Sequence, residues 1–92
     1  MSKSPPSPAS LAMSRLSDAR NKIKRGRLAE AEQILAEAIS LDETNAAIWH
    51  VLGQTWNGMG RTSDAIDALT MATNLDPANA GLRCDLGLAL LS

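Results

Sequence analysis

Apolar positions recur along this chain at helical spacing, in stretches of about a dozen residues separated by Gly, Asn and Pro. Trp49, Leu52, Gly53 and Trp56 stand at i, i+3, i+4 and i+7, one face of a helix over 46–58. Asn45 precedes it as an N-cap, and Asn57-Gly58-Met59-Gly60 breaks it. Ala65, Ile66, Leu69, Ala72 and Leu75 mark a second helix over 62–75, which Asp76-Pro77 ends because the residue before proline is pushed from the α region. The preceding segment reads alike. Ala12, Leu16, Ala19 and Ile23 stripe a helix over about 10–24, and Arg25-Gly26-Arg27 turns the chain. Leu28, Ala31, Ile34, Leu35, Ala38 and Leu41 stripe a helix over about 28–41. A fifth helix is expected from Ala80 onward, capped by Asn79.

These helices repeat. Shifting the chain by 34 residues lays Gly26-Arg27 on Gly60-Arg61, Ala31 on Ala65, Leu35 on Leu69 and Ala38 on Ala72. It also lays Leu41-Asp42 on Leu75-Asp76, Asn45-Ala46 on Asn79-Ala80 and Leu52-Gly53 on Leu86-Gly87. Ala and Leu matches are cheap in an Ala- and Leu-rich chain, but glycines and Asn-Ala steps at fixed offsets are not. A period in the thirties is the mark of a stacked array of small helical units.

The run Trp49-x2-Leu52-Gly53-x2-Trp56, then Gly60, Ala65-x3-Leu69-x2-Ala72 and Pro77, resembles the tetratricopeptide repeat. Trp56 replaces the usual Tyr and Leu69 the usual Phe. In the first repeat Arg15, Asp18 and Lys22 stand where the pattern has Trp, Leu and Tyr; in the third, Arg83 stands for Trp. The resemblance implies an all-α fold, an α-solenoid of helix-turn-helix repeats: five helices in about two and a half repeats. Residues 1–9 are expected to form a disordered Pro/Ser tail, with repeat one at about 12–45, repeat two at 46–79, and a partial repeat or capping helix at 80–92. Gly53 and Ala65 are expected to let two helices approach, with Trp49 and Trp56 filling space beside them.

Composition fits this picture. Two Trp, no Phe and no Tyr in 92 residues argue against a sandwich or barrel. One Cys and one His leave no internal disulfide and no multi-ligand metal cage, so neither cofactor nor metal is expected. No apolar run reaches the roughly 18 residues of a membrane span, and the N-terminal ten residues lack the apolar core of a secretory signal, so a cytoplasmic address is the default expectation. Charge is split: residues 1–30 carry net +5 and residues 31–92 net −6.

No constellation promises chemistry. His50 and Cys84 are equivalent positions one repeat apart, but a Cys-His nucleophile or metal pair lacks the third group that would orient or complete it. The basic run Lys22-Ile23-Lys24-Arg25-Gly26-Arg27 has no interleaved aromatics and sits at a helix C-terminus, where cations are favoured. Nucleic acid is therefore not the expected partner. Asp42-Glu43 and Asp64 with Asp67 read as solvating charges, and Ser4-Pro5 and Ser7-Pro8 as parts of the tail rather than modification sites.

Function is accordingly expected at a surface. Tetratricopeptide arrays bind peptides or helices of other proteins in a groove lined by the first helix of each repeat. This implies a non-enzymatic interaction module whose groove comprises Leu16, Arg20 and Lys24, then His50, Gln54 and Asn57, then Cys84, Leu88 and Leu91. Met13, Ile23, Ala47, Gly58 and Gly81 occupy neighbouring positions on these faces. The chaperone-tail clamp of some relatives is discounted: its Lys, Asn, Asn, Lys and Arg positions hold Leu16, Arg20, Val51, Gly81 and Asp85. The other functional class is an N-terminal repeat segment of a larger enzyme, such as a bacterial glycosyl- or sulfotransferase.

Leu88 and Leu91 fall outside the Leu82, Leu86, Leu90 stripe, whereas a capping helix should turn a polar face to water. Self-association through residues 80–92, or docking of this helix on a continuation of the chain, is the expectation that follows. Light scattering at micromolar concentration should show an oligomer that Leu88→Glu with Leu91→Glu dissociates. A wild-type monomer whose melting temperature the double change leaves untouched would sink this expectation.

Overall fold

A computed structural model describes residues 7–79 of the chain. Among them are four helices and no strands: α1 (Pro8–Lys24), α2 (Leu28–Leu41), α3 (Ala46–Gly58) and α4 (Thr62–Leu75). The fifth helix expected from Ala80 lies outside the described residues. α1 packs on α2 and α3 on α4 as two helical hairpins, which join through α2 against α3, with α1 also touching α3.

α1 starts at Pro8, so Pro8 and Ala9 belong to the helix and not to the expected tail. Ser7 is the N-cap, its hydroxyl accepting from the Ser10 N–H at 3.2 Å. Proline at the first helical position costs nothing there, since its missing N–H would be unpaired anyway. Asn45 caps α3, accepting from the Ala47 N–H at 3.0 Å. Asp42, expected only to solvate, shapes the link between hairpins by accepting from both the N–H and the hydroxyl of Thr44.

The two interhelical turns are built identically. After α1, the Arg27 N–H reaches the Lys22 carbonyl and Gly26 N–H the Ile23 carbonyl; after α3, Arg61 reaches Trp56 and Gly60 reaches Asn57. This pairing closes a helix only with a left-handed residue at its hinge. Gly26 and Gly60 take φ of 75° and 80°.

The core is small-residue packing. Ala12, Leu16, Ala19, Ala31, Leu35, Ala38, Ala65, Ala68, Leu69 and Ala72 are all buried. α3 departs from its expected single stripe. Ile48, Val51 and Thr55 are buried along with Leu52 and Gly53, because this helix has helices on two sides. Thr55 is accommodated by donating to the Val51 carbonyl at 2.8 Å. Trp49 and Trp56, expected as space-fillers, are half-buried against the core rather than inside it. Leu75, at the end of the α4 stripe, is exposed.

Each tryptophan has a polar tie at the junction of the hairpins. Trp49 Nε1 donates to the Glu43 carbonyl at 2.8 Å, fastening the link to α3. Over the Trp56 ring, 5.2 Å from its centroid, lies the Arg61 guanidinium. Arg61 also donates to Asp64 at 2.8 Å and to Glu32 of α2 at 2.9 Å, so it braces one repeat on the next. The Asp64 hydrogen bond, supplemented by Glu32, holds its pKa above the ordinary value against a partial loss of hydration. Trp56 Nε1 is buried without an acceptor among the described residues.

In the first repeat, the positions of Trp49 and Trp56 are held by Arg15 and Lys22. These pair with Glu37 (3.7 Å) and Glu30 (3.6 Å) across the α1–α2 hairpin.

The closest helix approach sets the first stability test. A Cβ on Gly53 would sit 2.7 Å from Leu69 Cγ and 3.3 Å from the Ala65 carbonyl oxygen. Alanine would gain about 1 kcal/mol of helix propensity but overpack a branch-point carbon and backbone, a cost of about 1–3 kcal/mol. Gly53→Ala should therefore be net destabilising in urea unfolding. Gly58→Ala, which meets only the flexible end of Leu28 at 3.2 Å, should be near neutral. Gly60→Ala should lose about 1–2 kcal/mol through its left-handed φ alone.

Candidate functional site

The first helices of the two hairpins lie side by side and enclose a groove of about 400 Å³, lined by Arg20, Ile23, Lys24, His50, Val51 and Gln54. Arg20 and Lys24 are one turn apart on α1, as are His50 and Gln54 on α3. Residues at i and i+4 share a helix face, so two polar rows run alongside each other. Between them Ile23 is half-buried and Val51 is 3 % exposed, giving an aliphatic floor.

The structure thus brings together four of the sequence-expected groove residues: Arg20, Lys24, His50 and Gln54. Leu16 is a correction. At 2 % exposure it is a core residue, because the displaced apolar stripe of α1 points it at α2. Asn57 is exposed but lies beyond the groove, near the end of α3. Cys84, Leu88 and Leu91 lie outside the described residues, as does the His50–Cys84 pairing. Val51 is the groove residue that the sequence reading did not place there. Its signal was available, since Val51 stands three residues before Gln54 and one after His50, on the edge where the polar face meets the core.

Met13, also on the expected face, is exposed, and its sulfur accepts from Asn45 Nδ2 at 3.1 Å. The signature residues fall where packing requires them: Leu52, Gly53, Ala65, Leu69 and Ala72 are buried, Gly60 is in the turn, and Pro77 follows the Asp76 C-cap of α4. Among the described residues, no three His, Cys, Asp or Glu side chains gather as metal ligands. No helix there is long and apolar enough to cross a membrane.

Helical hairpins at a fixed period, with small residues at the crossing and a groove between first helices, agree with what comparison finds. The tetratricopeptide repeat family model matches residues 22–91, and the chain belongs to that family. A curated relative, Protein NPG1 of Arabidopsis thaliana, is 31 % identical over 72 residues, covering 78 % of this chain. The chain spans about a tenth of that relative's length, the match covering 10 % of it. Among solved structures, the second tetratricopeptide domain of Spaghetti (RPAP3), bound to the HSP90 peptide SRMEEVD, superposes with a TM-score of 0.86. It is 19 % identical, and the match covers 90 % of this chain and 77 % of that one. At that identity the likeness speaks for the fold alone.

Core and groove residues should separate in thermal unfolding. Changing His50, Gln54 and Asn57 together to Ala should move the melting temperature by only a few degrees, because none is buried. Leu16→Ala should instead cost about 2–5 kcal/mol. Unfolding of the triple variant would mean that these side chains hold the hairpins together.

Proposed function

We propose that this chain is a non-enzymatic protein-interaction module that holds a segment of a partner protein in the groove between α1 and α3. The observation that carries this reading is the groove itself. Side chains from two rigid helices converge on an aliphatic floor, with polar groups on both sides to set the register of a bound chain. Gly53 packs α3 closely on α4, and Arg61 braces that hairpin on the first, so the two rows are positioned before a ligand arrives and little ordering is needed on binding. The family's implied role and the peptide bound by the Spaghetti domain support a peptide ligand. The chaperone tail itself is not carried over, because the clamp positions here include Leu16 and Val51, both buried aliphatics.

Peptides selected from a random display library should bind the isotope-labelled chain and shift the amide signals of Ile23, Val51 and Gln54. Shifts confined to α2 and α4, or a selection that yields no binder, would overturn the proposal.

A further inference from the structure

The seven cations among the described residues are sorted by the fold. Arg15, Lys22, Arg27 and Arg61 each lie within 4 Å of a carboxylate of the same chain: Glu37, Glu30, Glu30, and both Glu32 and Asp64. Among the described residues, Arg20, Lys24 and Arg25 meet no carboxylate and make no side-chain hydrogen bond. Two of these three, Arg20 and Lys24, line the groove, and none of its six lining residues is itself an Asp or Glu. The basic run 22–27 is therefore divided. Lys22 and Arg27 share the Glu30 carboxylate, while Lys24 lines the groove.

We infer that the groove takes an extended acidic segment of a partner protein, with carboxylates at i and i+2 and an aliphatic side chain between them. This rests on the groove being the docking site, as proposed above. Four residues along α1 rise about 6 Å from Arg20 to Lys24. Alternate residues of an extended chain are about 6.6 Å apart and point the same way. Two carboxylates on one side of the segment thus match the two cations, while the intervening side chain turns toward the α3 side and the Val51 floor. Nucleic acid fits less well. Two unpaired cations over an aliphatic floor offer few phosphate contacts and no ring for a base to stack on.

The test uses the full 92-residue chain and three labelled nonapeptides, Gly-Ser-Ser-X-Leu-X-Ser-Ser-Gly, with X as Glu, Gln or Lys. Each exposed charge pair strengthens binding by up to roughly fivefold. With two pairs, the Glu peptide should therefore bind about 2- to 25-fold more tightly than the Gln peptide at low salt, and the Lys peptide weakest. Arg20→Gln with Lys24→Gln should erase the difference between Glu and Gln peptides, as should about 0.5 M salt. Arg25→Gln, an unpaired cation outside the groove, should preserve it. Circular dichroism on the double variant separates lost charge from lost fold, and Arg20→Lys should retain most of the preference.

Equal affinity for Glu and Gln peptides, with amide shifts still at Val51 and Gln54, would overturn the acidic ligand and leave the groove reading standing. If no peptide shifts those amides, both fall. Displacement of the Glu peptide by a single-stranded oligonucleotide at equal concentration would point to nucleic acid instead. An unliganded dimer that the double Gln variant dissociates would make a second copy the occupant. Either result overturns the inference.

Discussion

The contact between Gly53 and the Ala65–Leu69 edge of α4 is what the rest of this small fold depends on. A missing Cβ lets Leu69 lie directly on the α3 backbone, where any side chain would come within 2.7 Å of its branch carbon. That approach fixes the tilt of the second hairpin. The tilt in turn determines which edge of α3 meets the first hairpin and which edge is left beside α1. Ala31, Ala38, Ala65 and Ala72 extend the same logic, since all four are fully buried and none holds a helix apart. A core made this way buries little apolar area per residue, so close approach substitutes for side-chain bulk.

Polar contacts finish what small residues begin. Arg61 stands at the end of the α3 turn, on the first helix boundary of α4, and reaches back to Glu32 of the first hairpin. An exposed ion pair of this kind contributes little by itself. Its effect here is geometric, because the same guanidinium is held by Asp64 and lies over the Trp56 ring. Three neighbours restrict one side chain, and that side chain touches both hairpins. On α1, where no preceding helix is described, the tryptophan positions carry Arg15 and Lys22 instead, each turned to a glutamate of α2. Matching positions of the repeat thus carry a ring at the junction of the hairpins in one case and an ion pair within a hairpin in the other.

How much of this was legible from residue order differs by element. The turns, the Asn45 cap and the alanine faces of α2 and α4 follow from local rules, and they lie where the spacing predicts. The start of α1 did not, although Ser7-Pro8 is a strong start signal: it was absorbed into a Pro/Ser-rich tail by composition. α3 was misjudged for a different reason. A single-stripe template assumes one packing partner, whereas α3 has partners on two sides, and Ile48, Val51 and Thr55 fill the second. Leu16 was assigned to groove and core at once, and only tertiary packing could choose. No local pattern says which cations will find carboxylates, since Arg15 with Glu37 and Arg61 with Glu32 are joined across helices.

That last point reaches function. Once the stripe facing α4 and the stripe facing the first hairpin are subtracted, α3 keeps a narrow polar arc of His50, Gln54 and Asn57. α1 keeps a wider one, because it packs on α2 and only lightly on α3. Substitutions on α3 therefore stand one residue from the core on either side, and a change at Val51 alters packing and groove floor together. Arg20 and Lys24 have no such double duty. They are exposed, one turn apart and without a carboxylate partner among the described residues, so their charge could be exchanged without disturbing the hairpins. α3 thus supplies the buried floor of the groove, and α1, the less covered helix, supplies its two cations.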